Sequence, residues 1–267
     1  MDNLFTALVL SIVEGVTEFL PVSSSGHLIL AGNILNFTGE RAATFDVVIQ
    51  LGAILAVVVL YRKRFLWLAL PGKREAGARF AGLRGIGLLV LTSLPACMLG
   101  LALHSSIKHY LFRPLTVLIA LVIGAVCMII VERRKYDVVC DNLDGITPRL
   151  ALGIGCFQCL ALWPGFSRSA ATIMGGMMLG TGRALAAEYS FIAAVPIMIA
   201  ATGYDMLKSL SLFSAADIPF FLTGLAGAFV SALLAVKIFV ALLGRTSLIP
   251  FAVYRLLIAP FVYYFMI

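Results

Sequence analysis

Six stretches of the chain, 42–61, 84–103, 113–131, 183–203, 217–243 and 248–266, run through predominantly apolar side chains. Each is near the roughly 20 residues a helix needs to cross the hydrocarbon layer of a bilayer. Two further apolar stretches, 4–35 and 150–180, are interrupted near their centres by PVSSSG at 21–26 and PGFSRS at 164–169. Proline, glycine and adjacent serines end a helix, and backbone left unpaired at membrane depth is tolerated only where protein or a water-filled cavity covers it. Both interrupted stretches therefore read as re-entrant hairpins, with a pair of kinked full spans as the alternative. The expected fold class is all-α: a polytopic membrane protein of six full transmembrane helices and two re-entrant helical hairpins, forming one integral membrane domain over 1–267.

The halves match at an offset of 143 residues. Pro21 falls on Pro164, Ser24 on Ser167, Gly32 on Gly175, Thr38 on Thr181, Gly39 on Gly182 and Ala43 on Ala186. Each half, 1–131 and 150–267, then holds one hairpin followed by three crossings, with a cytoplasmic loop 132–149 between them. Three is odd, so the second half inserts upside down relative to the first, an inverted-topology repeat that brings both breaks near the midplane.

Basic residues set the expected orientation. Loop 62–84 carries Arg62, Lys63, Arg64, Lys73, Arg74, Arg79 and Arg84, and 132–149 adds Arg133, Arg134, Lys135 and Arg149. These belong in the cytoplasm by the positive-inside tendency. Loops 104–113 and 204–217, with only Lys108, Arg113 and Lys208, face outward, as do both termini. The first hairpin then opens outward and the second inward. No basic leader precedes the apolar start, the first basic residue being Arg41, so no cleavable signal peptide is expected. The net charge of +7 is accounted for by these loops, and nucleic acid is not an expected partner, because the basic residues lack aromatic interleaving. Cys156 and Cys159 lie in an apolar run with no second cysteine pair, which suits small buried side chains better than a metal site.

The interrupted stretches concentrate the intramembrane polar groups. Glu14 and Glu18 are four apart and share a helix face. Two buried like charges need compensation: a hard cation such as Mg²⁺ or Ca²⁺, shared protons, or Arg168 without any metal. Glu18, nearer the break, is the better catalytic candidate, and Glu14 is also read as a structural acid. Ser23, Ser24 and Ser25 stand where the first helix ends and are read either as caps or as reactive hydroxyls. His27, three residues beyond Ser24, is in reach of its hydroxyl if 24–27 form a helical start, and imidazole suits proton transfer near neutral pH. Arg168, between Ser167 and Ser169, offers a fork of donors suited to phosphate oxygens, with backbone N–H groups of a helix start beside it; alternatively it neutralises a glutamate. Gln50 is a polar group positioned to line the cavity. Asp46 and Glu188 lie near the starts of matching spans. Arg183, Lys237 and Arg255 are expected to snorkel to an interface. His104 and His109 are assigned no metal, Tyr263 and Tyr264 fit an interfacial belt, and Gly224 with Ala228 permits close helix packing.

EGVTEFLPVSSSGH at 14–27, together with PGFSRS at 164–169, resembles the undecaprenyl pyrophosphate phosphatase family of bacteria, also called the bacitracin resistance family. The similarity extends through FDVVIQLGAILAVVV at 45–59 and IPFAVYRLLIA at 249–259. The resemblance implies removal of the terminal phosphate from undecaprenyl pyrophosphate at the outer face of the bacterial cytoplasmic membrane, so that the lipid phosphate re-enters cell-wall synthesis. It places the family's glutamates on Glu14 and Glu18, its serine on Ser24, its histidine on His27 and its phosphate-facing arginine on Arg168, with a divalent cation as cofactor. Arg168 with Ser167, Ser169, Ser23 and Ser25 would bind phosphate, and Glu14 and Glu18 would hold the metal. Ser24 would attack the terminal phosphorus, with His27 or Glu18 taking its proton; direct attack by water and a His27 nucleophile remain open. The alternative function is a flippase or secondary transporter for a polyprenyl phosphate or small anion. Membrane lipids are expected partners, and no motif decides whether the chain forms a homodimer.

Overall fold

The computed structural model describes residues 4–70, 72, 75, 77–111, 113–209, 217–243 and 246–266. Lys73 and Arg74 lie outside the described residues, as do the side chains of His104, Lys108 and Lys208. The described chain is helical, with one isolated bridge between Cys140 and Thr181. The first interrupted stretch forms α1 (Leu4–Thr17) and α2 (Ser24–Ile34). It is followed by α3 (Glu40–Leu60), α4 (Arg62–Ala69) and α5 (Gly82–Ala102). A short α6 (His104–Ser106) runs into a π-helical turn, Ile107–Leu111, before α7 (Pro114–Arg133). The second interrupted stretch forms α8 (Pro148–Gln158), a 3₁₀ turn at Cys159–Leu162 and α9 (Arg168–Met178). Then come α10 (Arg183–Ser209), α11 (Ile218–Leu243) and α12 (Ile249–Met266).

Five of these helices, α3, α5, α7, α10 and α11, are long and apolar enough to cross a membrane, and the architecture is that of a multi-pass membrane protein. The apolar run of α12, Ile249–Phe265, falls among the shorter helices. At 1.5 Å per residue it spans about 26 Å, just under the roughly 30 Å hydrocarbon core. The basic segment 62–84, expected as a loop, begins with α4, because Trp67 and Leu68 are buried on its inner side.

The helices pack in matching pairs. α1 lies on α11, and α8 lies on α5; α2 meets α12, and α9 meets α7; α3 packs on α10, and α7 on α12. Close approach is built into these contacts. A Cβ on Gly155 of α8 would sit 2.5 Å from the Thr92 carbonyl oxygen of α5. The adjoining Thr92 hydroxyl donates to the α8 carbonyl of Ala151 at 3.0 Å, and Ser231 of α11 donates to the Ser11 carbonyl of α1 at 3.2 Å.

Both helix breaks are covered by protein. Phe19 from the first and Phe166 from the second are buried in the central cluster with Phe191, Phe239 and residues of α3, α7 and α9. That burial is the condition under which irregular backbone survives at membrane depth. Outside this core the surface is oily, with Leu83, Leu101, Leu234 and Leu257 all exposed.

The register between the halves differs locally from the 143-residue offset. Ser23 and Ser167 precede α2 and α9 with φ of +73° and +78°, and Asn36 and Gly180 follow those helices with φ of +53° and +91°. Phe37 N–H closes onto the Gly32 carbonyl as Thr181 N–H closes onto Gly176. These correspondences are 144 apart, so Ser23, not Ser24, matches Ser167, and Gly32 matches Gly176. The 143 offset returns at Gly39 and Gly182, which precede α3 and α10. One extra residue before Ser167 and one fewer before Gly182 account for the slip.

Candidate active site

Positive φ at a serine costs about 1–3 kcal/mol and persists only where the surroundings fix it. At Ser167 the fixing contacts are visible. Its Oγ accepts from Ala170 N–H at 3.3 Å and lies 3.0 Å from Ser169 Oγ, while Ser169 donates across to the Leu20 carbonyl at 2.9 Å. Arg255, fully buried on α12, donates to the carbonyls of Gly165 (2.8 Å) and Phe166 (2.9 Å), and to Ala120 of α7 (3.3 Å). At Ser23 the carbonyl accepts from His27 Nδ1 at 2.7 Å.

These turns make Ser24 and Arg168 the first residues of α2 and α9, and both side chains converge on one carboxylate. Ser24 Oγ donates to Glu18 Oε2 at 2.6 Å, and Arg168 Nη2 donates to Glu18 Oε1 at 3.0 Å. α1 ends at Thr17, yet Glu18 N–H still bonds the Glu14 carbonyl at 2.9 Å, which keeps the two glutamates in helical register. Arg168 also donates through Nη1 to the Ser190 carbonyl at 3.2 Å, and its guanidinium carbon lies 5.4 Å from the centre of the Phe19 ring. Its Nε has no partner among the described residues.

The other expected site residues divide sharply. His27 does not bond Ser24: its second nitrogen, Nε2, lies 2.8 Å from Tyr254 Oη, and the two rings stack at 5.5 Å. The reason is that Ser23, not Ser24, supplies its i−4 carbonyl. Ser169 is fully buried and tied to Leu20, so it joins the two breaks rather than presenting a free hydroxyl. Ser23 is buried, Ser25 is exposed two positions on, and Gln50 is half-buried on α3. Arg255 does not snorkel; it is the clamp on the second break. Arg183 is ion-paired with Glu132 and donates to the Thr246 carbonyl at 3.2 Å. Tyr254, Arg255, Ser190 and Phe19 join the site without belonging to either motif. A charge in mid-span, beside an aromatic hydroxyl, is the sequence signal for the first two.

The acids fit a hard cation in a limited way. Glu14 is 1% exposed, and its Oε2 is buried without a partner among the described residues. Both oxygens of Glu18 are engaged, and the described residues contain no group of three or more His, Cys, Asp or Glu able to hold a metal. Two carboxylates, completed by water and substrate phosphate, match the way Mg²⁺ is held in phosphoryl-transfer sites.

Over residues 7–261 the chain matches the family described as "Bacitracin resistance protein BacA". It is 78% identical over 267 residues to the "Undecaprenyl-diphosphatase" of Desulfovibrio desulfuricans, covering all of both chains. It is 66% identical over 266 residues to the protein of that name from Nitratidesulfovibrio vulgaris strain DP4, covering 100% of this chain and 99% of the relative. Identity to the Lawsonia intracellularis "Undecaprenyl-diphosphatase" is 54% over 265 residues, 98% of each chain.

Proposed function

The chain belongs to the bacitracin resistance protein BacA family, and from that premise we propose that it is an undecaprenyl-diphosphatase, hydrolysing undecaprenyl pyrophosphate to undecaprenyl phosphate and orthophosphate. The observation that carries the mechanism is the Glu18 carboxylate shared between Ser24 and Arg168. A base within about 2.6–3.2 Å of the proton it removes has the required reach. Glu18 Oε2 takes the Ser24 proton as Oγ attacks the terminal phosphorus, and the bridging P–O bond breaks to release lipid phosphate. Water then attacks the phosphoserine phosphorus, the Oγ–P bond breaks, the water protons leave on orthophosphate, and Glu18 returns its proton to Ser24 Oγ. Arg168, whose Nε is unpartnered among the described residues, turns donors toward the equatorial oxygens of the transferring phosphoryl group, where charge must be held in the transition state. Glu14 and Glu18 are the residues to hold Mg²⁺ or Ca²⁺, which when bound would neutralise phosphate charge.

The reading includes a topology of six crossings, with α12 as the sixth, and two re-entrant hairpins, arranged as inverted halves 1–131 and 150–267. The matching helix pairs support it. The chain would then reside in the bacterial inner membrane, with the basic segments in the cytoplasm, both termini outside and the site open outward. The substrate would be drawn from the bilayer by a protein surrounded by lipid, as a monomer or homodimer.

The test is orthophosphate release from undecaprenyl pyrophosphate by the purified protein, with Mg²⁺, with Ca²⁺ and with chelator. Turnover by wild type, lost in Ser24→Ala and Arg168→Ala variants of unchanged thermal stability, is the expected result. A folded wild type that cleaves nothing, yet moves polyprenyl phosphate across proteoliposomes, would favour a flippase instead.

A further inference from the structure

The proposed chemistry uses Glu18, Ser24 and Arg168, but leaves one hydrogen-bonded pair beside them without a task. His27 lies one helical turn beyond Ser24 on α2, and residues so spaced are neighbours on the helix surface. Its Nδ1 faces a carbonyl oxygen, Ser23 O at 2.7 Å, which only accepts, so Nδ1 carries the proton. In the neutral ring Nε2 is then the acceptor, and the Tyr254 hydroxyl donates to it at 2.8 Å.

Tyr254 also stands at the border between the site and the exterior. Tyr254 is 43% exposed, with Val253 at 43% and Leu257 at 66% on the same helix, and α12 packs on α2, where Ile29 is 38% exposed. These apolar neighbours form the rim where an isoprenoid chain can remain in lipid. Glu18 accepts from the Ser24 hydroxyl at 2.6 Å and pairs with Arg168 at 3.0 Å, whereas Tyr254 is held by His27 one turn further along α2.

We propose that Tyr254, oriented by His27, binds the lipid-linked phosphate of the diphosphate substrate and thereby selects diphosphates whose second phosphate lies toward the α2–α12 rim. This rests on the phosphatase reading given above. With the terminal phosphorus about 3–3.5 Å from Ser24 Oγ, the second phosphate is one bridging oxygen away. The tail must leave through the apolar rim, so that phosphate lies toward His27 and Tyr254. Rotation about the phenolic C–O bond moves the O–H from Nε2 to a phosphate oxygen without disturbing the ring stack. The hydroxyl then meets the group on which charge accumulates as the bridge breaks, and no bond to Tyr254 or His27 is made.

Product inhibition separates the two phosphate positions. Orthophosphate competes at Arg168 and Ser24, whereas undecaprenyl phosphate competes at Tyr254. Tyr254→Phe keeps the ring and its stacking, and removes one donor to a charged group. We expect its inhibition constant for undecaprenyl phosphate to rise about tenfold, with that for orthophosphate unchanged. The kcat for undecaprenyl pyrophosphate should fall by a similar factor. Equal changes in both inhibition constants, or no change in that for undecaprenyl phosphate, would overturn the assignment. His27→Gln, whose amide can orient the phenol differently, should weaken lipid-phosphate inhibition more than orthophosphate inhibition; if it weakens both equally, His27 does not orient Tyr254. Wild-type protein that releases no orthophosphate would instead remove the phosphatase reading itself.

Discussion

Glu18 binds a nucleophile candidate with one oxygen and a cation with the other, so its replacement tests more than charge. Glu18→Gln keeps the shape but removes the proton acceptor, and kcat should fall at least about 100-fold, the scale of general-base catalysis. Steady-state orthophosphate release measures it, and a loss under about threefold would move proton abstraction elsewhere. Arg255 makes a different prediction because, among the described residues, its hydrogen bonds go to carbonyls. Arg255→Met leaves the oxygens of Gly165, Phe166 and Ala120 without these donors, at about 1–3 kcal/mol for each that stays unpaired. Thermal unfolding in detergent should therefore shift down markedly, and unchanged melting would show that the clamp is dispensable. The sequence made Glu18, Ser24 and Arg168 visible because charged and hydroxylated groups at apolar breaks are conspicuous. Arg255 is legible only as a mid-span charge that should face the bundle; which carbonyls it holds depends on α7 and the second break, which the sequence does not place beside it.

At the scale of elements, the broken helices were legible and their register was not. Pro21, Pro164 and the serines after them mark the breaks, but identities at Ser24 and Ser167 pull the alignment one residue away from the correspondence made by the backbone. Positive φ at Ser23 and Ser167, together with the Gly32 and Gly176 closures, puts Ser24 opposite Arg168. Backbone dihedrals carry no signature in residue type when the residue is serine rather than glycine. Gly165 is where the type does matter: its φ is +95°, and a Cβ there would collide with the Val117 carbonyl oxygen of α7. Gly165→Ala should lose about 1–3 kcal/mol through backbone strain alone. It should also reduce turnover beyond what the lost stability explains, because Arg168 lies three residues along. Circular dichroism melts beside orthophosphate assays distinguish the two effects, and wild-type turnover would exclude strain transmission to Arg168.

For the whole molecule, composition and apolar run length were enough to reveal a membrane architecture, whereas the sixth crossing and the orientation depend on where the bilayer sits. In a background without native cysteines, Arg79→Cys should resist a membrane-impermeant maleimide in intact cells and react after permeabilisation. Arg113→Cys should react in both, and the reverse pattern would invert the proposed topology. The clamp and the phenol both come from α12, which the ribosome completes after every other helix described here. Until α12 docks, the second break lacks the donors that hold Gly165 and Phe166, and His27 lacks its phenol. Nascent chains would thus carry the serine and its carboxylate through membrane insertion without an assembled site, deferring contact with the lipid carrier until the bundle has closed.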